Sequence, residues 1–525
     1  MRKFVLFTAL LLGSVLALPA QNKTASEQTK FRVSSMFSDH MVIQRDTIAP
    51  VWGLAEPGTK VTVTPSWGKE KYSCTADDSG RWKVLVETPQ AGGPYSLTVT
   101  SKGEKVAFND VMSGEVWFCS GQSNMALQVK GASSQPVVGG VEAVLEAPEY
   151  ADRIRLYNIG TEREFAPVEN IDCKWTLSDS KATAEFSAVG YFFAKYLTKA
   201  LGVPVGMICG AWGGCNLETW MPMEYIDNAV KGKIPEDKYR AIVDRKEDYA
   251  LPPLQVGTMY NARLYPVKGY AVKGFLWYQG TSNMYEYAAY DKLQTGLAQC
   301  WRDSWEDKDN KLPFYFCSLA PFAYQDPSNQ ARGYFVEAQL RTLDMIPNSG
   351  AAVTETFGDS CCIHPAKKPQ VARQLALLAL ERDYGVDNGL GSSFPYPSKV
   401  TFPSNSSVQE KEIRQSGFPV RLVKSDKADG RIVINLANAS SGVGAYSNQL
   451  EETYIEVNGF EVAGPDRVFH PVKANAGHSV ITLDCSGIDD PVAVRYGFRC
   501  YIKADVETCN GAPLPPFRTD DWPQQ

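Results

Sequence analysis

A chain of 525 residues is too long to organise around one hydrophobic core, so two or three domains are expected. Its composition is that of an ordinary globular protein, and a formal net charge of −6 gives no electrostatic case for nucleic acid or an acidic membrane surface. The 25 Tyr and 11 Trp suit a carbohydrate-facing surface without proving one.

Met1-Arg2-Lys3 leads an apolar run, Phe4 to Leu18, that closes on Ala17-Leu18-Pro19-Ala20. This reads as a secretory signal peptide over residues 1–20, and no cysteine follows the site for a lipid anchor. No later run approaches the ~20 apolar residues needed to span a bilayer, so an exported, periplasmic or secreted protein is expected. Export permits disulfides, but the 12 cysteines are irregularly spaced and contain no Cys-x-x-Cys pair to hold zinc. A bond between the adjacent Cys361 and Cys362 would be strained; Cys215 is a more distant candidate partner, and buried free thiols are the alternative.

From residue 30 to 110, short alternating runs such as Lys60–Thr64, Trp82–Val86 and Tyr95–Val99 are broken by Pro57-Gly58 and Asp78-Ser79-Gly80, which predicts a small antiparallel sandwich. The texture changes near Ser113. Over 111–385, apolar β runs (Val116–Cys119, Val205–Cys209, Gly274–Tyr278, Pro313–Leu319, Ala351–Thr354) alternate with stretches of 3.6 periodicity (Ala184–Leu201, Ala288–Trp305, Phe335–Met345, Lys368–Tyr384). That pattern predicts an α/β unit with a parallel sheet covered on both faces, and ligands bind such sheets at the carboxyl ends of the strands. Residues 386–525 return to strand and turn, with Arg431–Leu436, Thr453–Val457, Ser479–Leu483 and Ala493–Tyr496 as strands of a second β module. Its proline-rich end, Ala512–Arg518, is expected to pack on the body.

The predicted strand ends carry the chemistry. The first presents Gly121-Gln122-Ser123-Asn124, the second Trp212-Gly213-Gly214-Cys215-Asn216-Leu217-Glu218, the third Gln279-Gly280-Thr281-Ser282-Asn283 and the last Asp359-Ser360-Cys361-Cys362-Ile363-His364. A nucleophilic serine needs a general base. Of the four histidines, His40, His470 and His478 fall in β modules, so elimination leaves His364. Oxyanion donors are available from the Ser123 N–H, the Gly214 N–H and the Asn283 amide, on three separate loops. The residues alone do not choose between Ser123-Asn124-Met125 and its echo Ser282-Asn283-Met284.

The chain resembles the sialate O-acetylesterase family, a branch of the SGNH hydrolases that also includes carbohydrate acetylesterases of xylan type. The resemblance rests on Phe37-Ser38-Asp39-His40-Met41, Cys119-Ser120-Gly121-Gln122-Ser123-Asn124-Met125, Phe186–Ala194, Trp212-Gly213-Gly214, Trp277-Tyr278-Gln279-Gly280, Ile363-His364-Pro365 and Pro516–Pro523. It implies a flavodoxin-like three-layer hydrolase domain between the two β modules. It also implies Ser123 as nucleophile, His364 as base, and an oxyanion hole from Ser123, Gly214 and Asn283. Gln122, Gln279, Glu218 and Asp359 are supporting candidates. The expected substrate is an O-acetylated sugar, with no metal and no cofactor.

Three positions depart from the family pattern. Thr281 stands where an acid is usual, Cys215 where threonine is, and Cys362 where the aspartate two residues before the histidine belongs. The last matters most, because that carboxylate orients the imidazole and stabilises its protonated form. Asp359 is one substitute; a Ser–His dyad oriented by a backbone carbonyl is the other. A non-catalytic carbohydrate-binding protein and a glycosidase using Glu218 and Asp359 are the rival readings.

Overall fold

The computed structural model describes residues 31–132, 134–160, 163–246, 254–387, 389–446 and 455–524. The expected signal peptide lies outside them, as do the first residues of the predicted strand Thr453–Val457. Among the described residues no helix is long and apolar enough to cross a membrane.

The sheet that positions the site is built around one long strand, β1 (Glu104–Gly121), whose residues from Val111 onward are all buried. The first half of β1 pairs antiparallel with Gly92–Ser101; the second half is the middle of a parallel sheet. The other strands of that sheet are β2 (Ile154–Asn158), β3 (Thr176–Leu177), β4 (Val205–Cys209), β5 (Gly274–Tyr278), β6 (Phe314–Cys317) and β7 (Ser349–Ala352). Their order is β3-β2-β4-β1-β5-β6-β7, with only β3 antiparallel. The change of texture read near Ser113 is therefore a change of partners along one continuous strand, not a linker.

Period-two alternation sends successive residues of β1 to opposite faces. Val116 and Phe118 join one apolar cluster, Trp117 and Cys119 the other. On the Phe118 face lie two helices, Tyr287–Ser304 and Ala331–Met345; on the Trp117 face lie Ala188–Leu201 and Lys368–Arg382. With the short helix that opens at the nucleophile they are labelled in chain order: α1 (Ser123–Ala126), α2 (Ala188–Leu201), α3 (Tyr287–Ser304), α4 (Ala331–Met345) and α5 (Lys368–Arg382). Trp301 of α3 anchors its face, with ring centroids 5.3 Å from Phe118, 5.5 Å from Phe275 and 5.4 Å from Trp277. Both faces of the sheet are thus covered, which is why its strands read as unbroken apolar runs.

One helical run is divided. Residues 184–201 have helical periodicity, but Phe186 and Ser187 leave the helix, and Ser180–Glu185 is a separate short one. Ser187 is the N-cap of α2: its hydroxyl accepts the Gly190 N–H at 3.1 Å and donates to Met125 O at 2.6 Å. That second bond ties α2 to the end of α1. Ser187→Ala is expected to lower stability by about 1–2 kcal/mol, read as a fall in urea midpoint without a change in slope; an unchanged midpoint would show that the cap is dispensable.

N-terminal to β1, strands at Arg32–Val33, Ile48–Leu54 and Arg81–Glu87 form a three-stranded sheet. Val42–Gln44, Lys60–Pro65, Tyr72–Thr75 and Gly92–Ser101 extend the sheet of β1. Val51, Val84 and Val86 of the first sheet share an apolar cluster with Val61, Val63 and Val99 of the second. C-terminal to α5 are a seven-stranded and a four-stranded sheet around a separate cluster that includes Val400, Ile434, Val462 and Leu483. The chain end returns to the body: Phe517–Arg518 pairs with Ala493–Tyr496, Arg495 makes two hydrogen bonds to Asp520, and Arg518 Nε donates to Glu337 of α4 at 2.8 Å.

All twelve cysteines are free thiols. The suggested partnership of Cys215 with the Cys361-Cys362 pair is corrected here. Cys215 is buried, with its sulfur donating to Trp212 O at 3.0 Å and accepting the Trp220 indole N–H at 3.1 Å.

Candidate active site

β1 ends at Gly121, which has φ +134° and lies opposite Tyr278 of β5. A Cβ there would sit 2.2 Å from Tyr278 O, so only glycine permits this approach. The Gln122 N–H then bonds Tyr278 O at 3.0 Å, and α1 begins with Ser123. The first N–H groups of a helix have no acceptor within it, so those of Ser123 and Asn124 point out of the first turn. Gln122 and Asn124 are buried while Ser123 between them is half-exposed.

His364 follows β7 on the loop before α5, and its Nε2 lies 2.6 Å from Ser123 Oγ. The other serine, Ser282, offers its carbonyl to Asn216 Nδ2 at 2.9 Å, and among the described residues no histidine is hydrogen-bonded to its side chain. Geometry thus separates the two look-alike serines. His40 bonds Asp110 at 2.6 Å beside Arg155, while His470 and His478 are exposed on the C-terminal sheets.

Neither expected orienter acts on the far side of the imidazole. Among the described residues His364 Nδ1 is buried with no hydrogen-bond partner. Asp359 has turned to its own loop, where Oδ1 accepts the N–H of Cys361 at 2.7 Å and of Cys362 at 3.0 Å. An aspartate followed by free N–H groups two and three residues on satisfies them locally, and this competition holds the carboxylate away from the ring. No backbone carbonyl reaches Nδ1 either. Cys362 donates its S–H to the carbonyl of His364 at 3.1 Å and so braces the backbone rather than the ring.

Burial, and then the charge of Lys368, bring the His364 pKa down to about 4. The imidazole is therefore neutral at pH 7 and able to accept a proton. Because the unfolded chain binds that proton more readily, this group withdraws stability as pH falls from its ordinary value near 6.5 toward 4.

Lys368 opens α5 and is fully buried. Its Nζ bonds Asn124 Oδ1 and lies 5.3 Å from the Tyr278 ring centroid. Asn124 Nδ2 in turn donates to Ile363 O at 3.2 Å. Sequence reading passed over both residues as site members. The available signal was a lysine at the first position of a helix, where the helix dipole disfavours a cation.

Two further loops flank the serine. After β4, Trp212 N–H bonds Gly121 O, a Cβ on Gly213 would stand 3.7 Å from Ser123 Cβ, and Gly214 has φ +70°. After β5, Asn283 is fully buried, and its Oδ1 accepts from Leu217 N at 2.9 Å and Gln279 Nε2 at 2.8 Å. Asn283 Nδ2 donates one hydrogen to Glu218 Oε2 at 3.0 Å, which leaves the amide its second. Glu218 is itself buried, a condition that raises its pKa, opposed by Arg245 at 2.7 Å and by Asn283. Gln122 accepts from Gly280 N at 3.2 Å, and Gln279 bonds Cys215 O and Tyr290, so both glutamines fasten one loop to another. The glycosidase rival loses its pair of acids: Glu218 is committed to Arg245 and Asn283, and Asp359 to its own turn.

At the edge of the site Trp212 is partly exposed, with the Arg263 guanidinium 4.5 Å and that of Arg163 5.5 Å from its ring centroid.

The known proteins similar to this chain are carbohydrate esterases. The profile of a family of carbohydrate esterases, the sialic acid-specific acetylesterases, matches residues 113–371. Mouse sialate O-acetylesterase is 27% identical over 430 residues, covering 70% of this chain and 76% of the mouse protein. The human sialate O-acetylesterase is 28% identical over 411 residues, covering 70% and 74%. A carbohydrate acetylesterase from Xanthomonas citri superposes with a TM-score of 0.74 at 27% identity, over 94% of this chain and all of the other. Residues 113–371 are a member of the sialic acid-specific acetylesterase family of carbohydrate esterases, and the chain is a carboxylic ester hydrolase.

Proposed function

We propose that the protein is an exported serine esterase of SGNH type that removes O-acetyl groups from a sugar, with residues 111–385 as the hydrolase domain between β modules at 30–110 and 386–525. The observation that carries the mechanism is the 2.6 Å contact between Ser123 Oγ and His364 Nε2. Ser123 Oγ gives its proton to Nε2 as it bonds to the acetyl carbonyl carbon. The resulting oxyanion is met by the N–H groups of Ser123 and Gly214 and by the second Asn283 amide hydrogen. The bond from carbonyl carbon to sugar oxygen then breaks, and that oxygen leaves with the proton from His364. Water, deprotonated by His364, attacks the carbonyl carbon of the acetyl-serine; the bond from that carbon to Ser123 Oγ breaks, His364 returns the proton to Oγ, and acetate is released.

An acidic sugar such as O-acetylated sialic acid is favoured by the similarity of residues 113–371 to the sialic acid-specific acetylesterases and of the chain to mouse and human sialate O-acetylesterase. An acetylxylan-type substrate is the second reading, favoured by the whole-chain similarity to a carbohydrate acetylesterase.

An organophosphonate is expected to label Ser123 stoichiometrically, as located by peptide mass spectrometry. Acetate release from O-acetylated sialic acid against acetylated xylan then assigns the sugar. Glycan binding without labelling would replace the esterase by the carbohydrate-binding rival.

A further inference from the structure

Lys368 occupies a position that opposes a charge in two ways. It is 0% exposed, so its ammonium is stripped of water, and it stands at the N-terminal end of α5, where the helix dipole is positive. No carboxylate pairs with it among the described residues. The groups facing it are Asn124 of α1, the ring of Tyr278 of β5, Cys317 at the end of β6, and Cys362 and His364 of the preceding loop. A lysine in such a place withdraws stability, and its geometry points to what it supplies in return.

Asn124 is the next residue after Ser123, and Ile363 is the residue before His364. Lys368 Nζ holds Asn124 Oδ1, and Asn124 Nδ2 holds Ile363 O. One asparagine side chain, pinned by the lysine, therefore joins the helix of the nucleophile to the loop of the base. Among the described residues the imidazole has no hydrogen bond at Nδ1, and so no orienting partner on its far side.

We propose that Lys368 is a positioning residue: through Asn124 it locks the histidine loop against α1 and so holds His364 on Ser123 in place of an orienting carboxylate. The proposal rests on the serine-esterase reading. A second consequence follows from the charge. Burial pushes Lys368 itself down to about 7, and its remaining positive charge helps keep His364 unprotonated. Without that charge the imidazole pKa moves back toward its ordinary value, and the acid limb of kcat/KM moves to higher pH with it.

The test uses the full chain with Lys368→Met, Asn124→Ala and the double variant, assayed for phosphonate labelling of Ser123, kcat/KM against pH, and thermal unfolding. Lys368→Met is expected to slow labelling about ten- to a hundredfold and to raise the acid limb by about one pH unit. It is expected to leave Tm unchanged or higher, because an unpaired buried charge has gone. Asn124→Ala breaks the same bridge from the other side while keeping the lysine, and the double variant is expected to be no slower than the slower single one. Additive losses overturn the proposal, as does an unmoved acid limb in Lys368→Met or a lowered Tm that accounts for the lost rate. If Lys368→Met does not fold, normal labelling of Asn124→Ala overturns it instead. Failure of the esterase reading is distinct: wild-type protein would then not be labelled at all.

Discussion

Ser123→Ala is expected to abolish measurable acetate release, with kcat reduced by up to about 10⁶-fold, and His364→Ala is expected to match it within an order of magnitude. The two form one unit across a 2.6 Å contact, so the double variant should be scarcely worse than either single one. A nucleophile without its base keeps its proton, and a base without its nucleophile has nothing to activate; either loss leaves only oxyanion stabilisation and binding. Asp359→Asn separates this site from a triad. The Asp359 carboxylate serves the N–H groups of Cys361 and Cys362, and the asparagine carbonyl accepts the same two bonds. Its rate should therefore fall by no more than about threefold, whereas exchange of a true triad aspartate for asparagine lowers kcat by about 10⁴-fold. Steady-state acetate release by the three variants decides the matter. Full turnover in Ser123→Ala sinks the nucleophile, and a collapse in Asp359→Asn restores the carboxylate to the imidazole.

What sequence could and could not deliver follows from the range of the interactions involved. His364 was legible because so few histidines leave little choice, whereas Ser123 and Ser282 both follow an apolar strand and only the family resemblance chose between them. The parallel sheet was legible because strands buried on both faces leave long apolar runs. The division at Phe186 and Ser187 was not, since the apolar period continues through it and only the N-cap serine marks the break. The direction of Asp359 was partly legible. An aspartate before Ser-Cys-Cys can satisfy its own turn as easily as a distant imidazole, and periodicity says nothing about which it chooses. Lys368 and Arg245 were missed as site members, because their partners lie far away in sequence. One meets Asn124 from 244 residues away, and the other meets Glu218 through a contact between loops. Continuity of β1 through residues 110 and 111 was hidden as well, because its two halves have different partners and therefore different textures.

Asn283→Ala is expected to lower kcat about 10²–10³-fold with KM little changed, the behaviour of a donor that matters mainly once charge develops on the oxygen. The side chain is fully buried and clamped by three partners: Leu217 N, Gln279 Nε2 and Glu218 Oε2. That clamp fixes one amide hydrogen on Glu218 and so orients the other, which in the proposed mechanism makes Glu218 a positioning group for an oxyanion donor. Glu218→Gln preserves shape and an acceptor oxygen but removes the charge that faces Arg245 and Asn283. Its kcat should therefore fall less, by about tenfold. Asn283→Asp should be worse than Asn283→Ala. It sets a carboxylate against the buried Glu218 and against the nascent oxyanion, where like charges repel in a poorly solvated setting. Alanine only empties the position. The order of kcat from wild type through Glu218→Gln and Asn283→Ala to Asn283→Asp is the observable. If Asn283→Asp retains more activity than Asn283→Ala, the side chain at 283 does not face developing negative charge, and the oxyanion must be held by the backbone N–H groups of Ser123 and Gly214 alone.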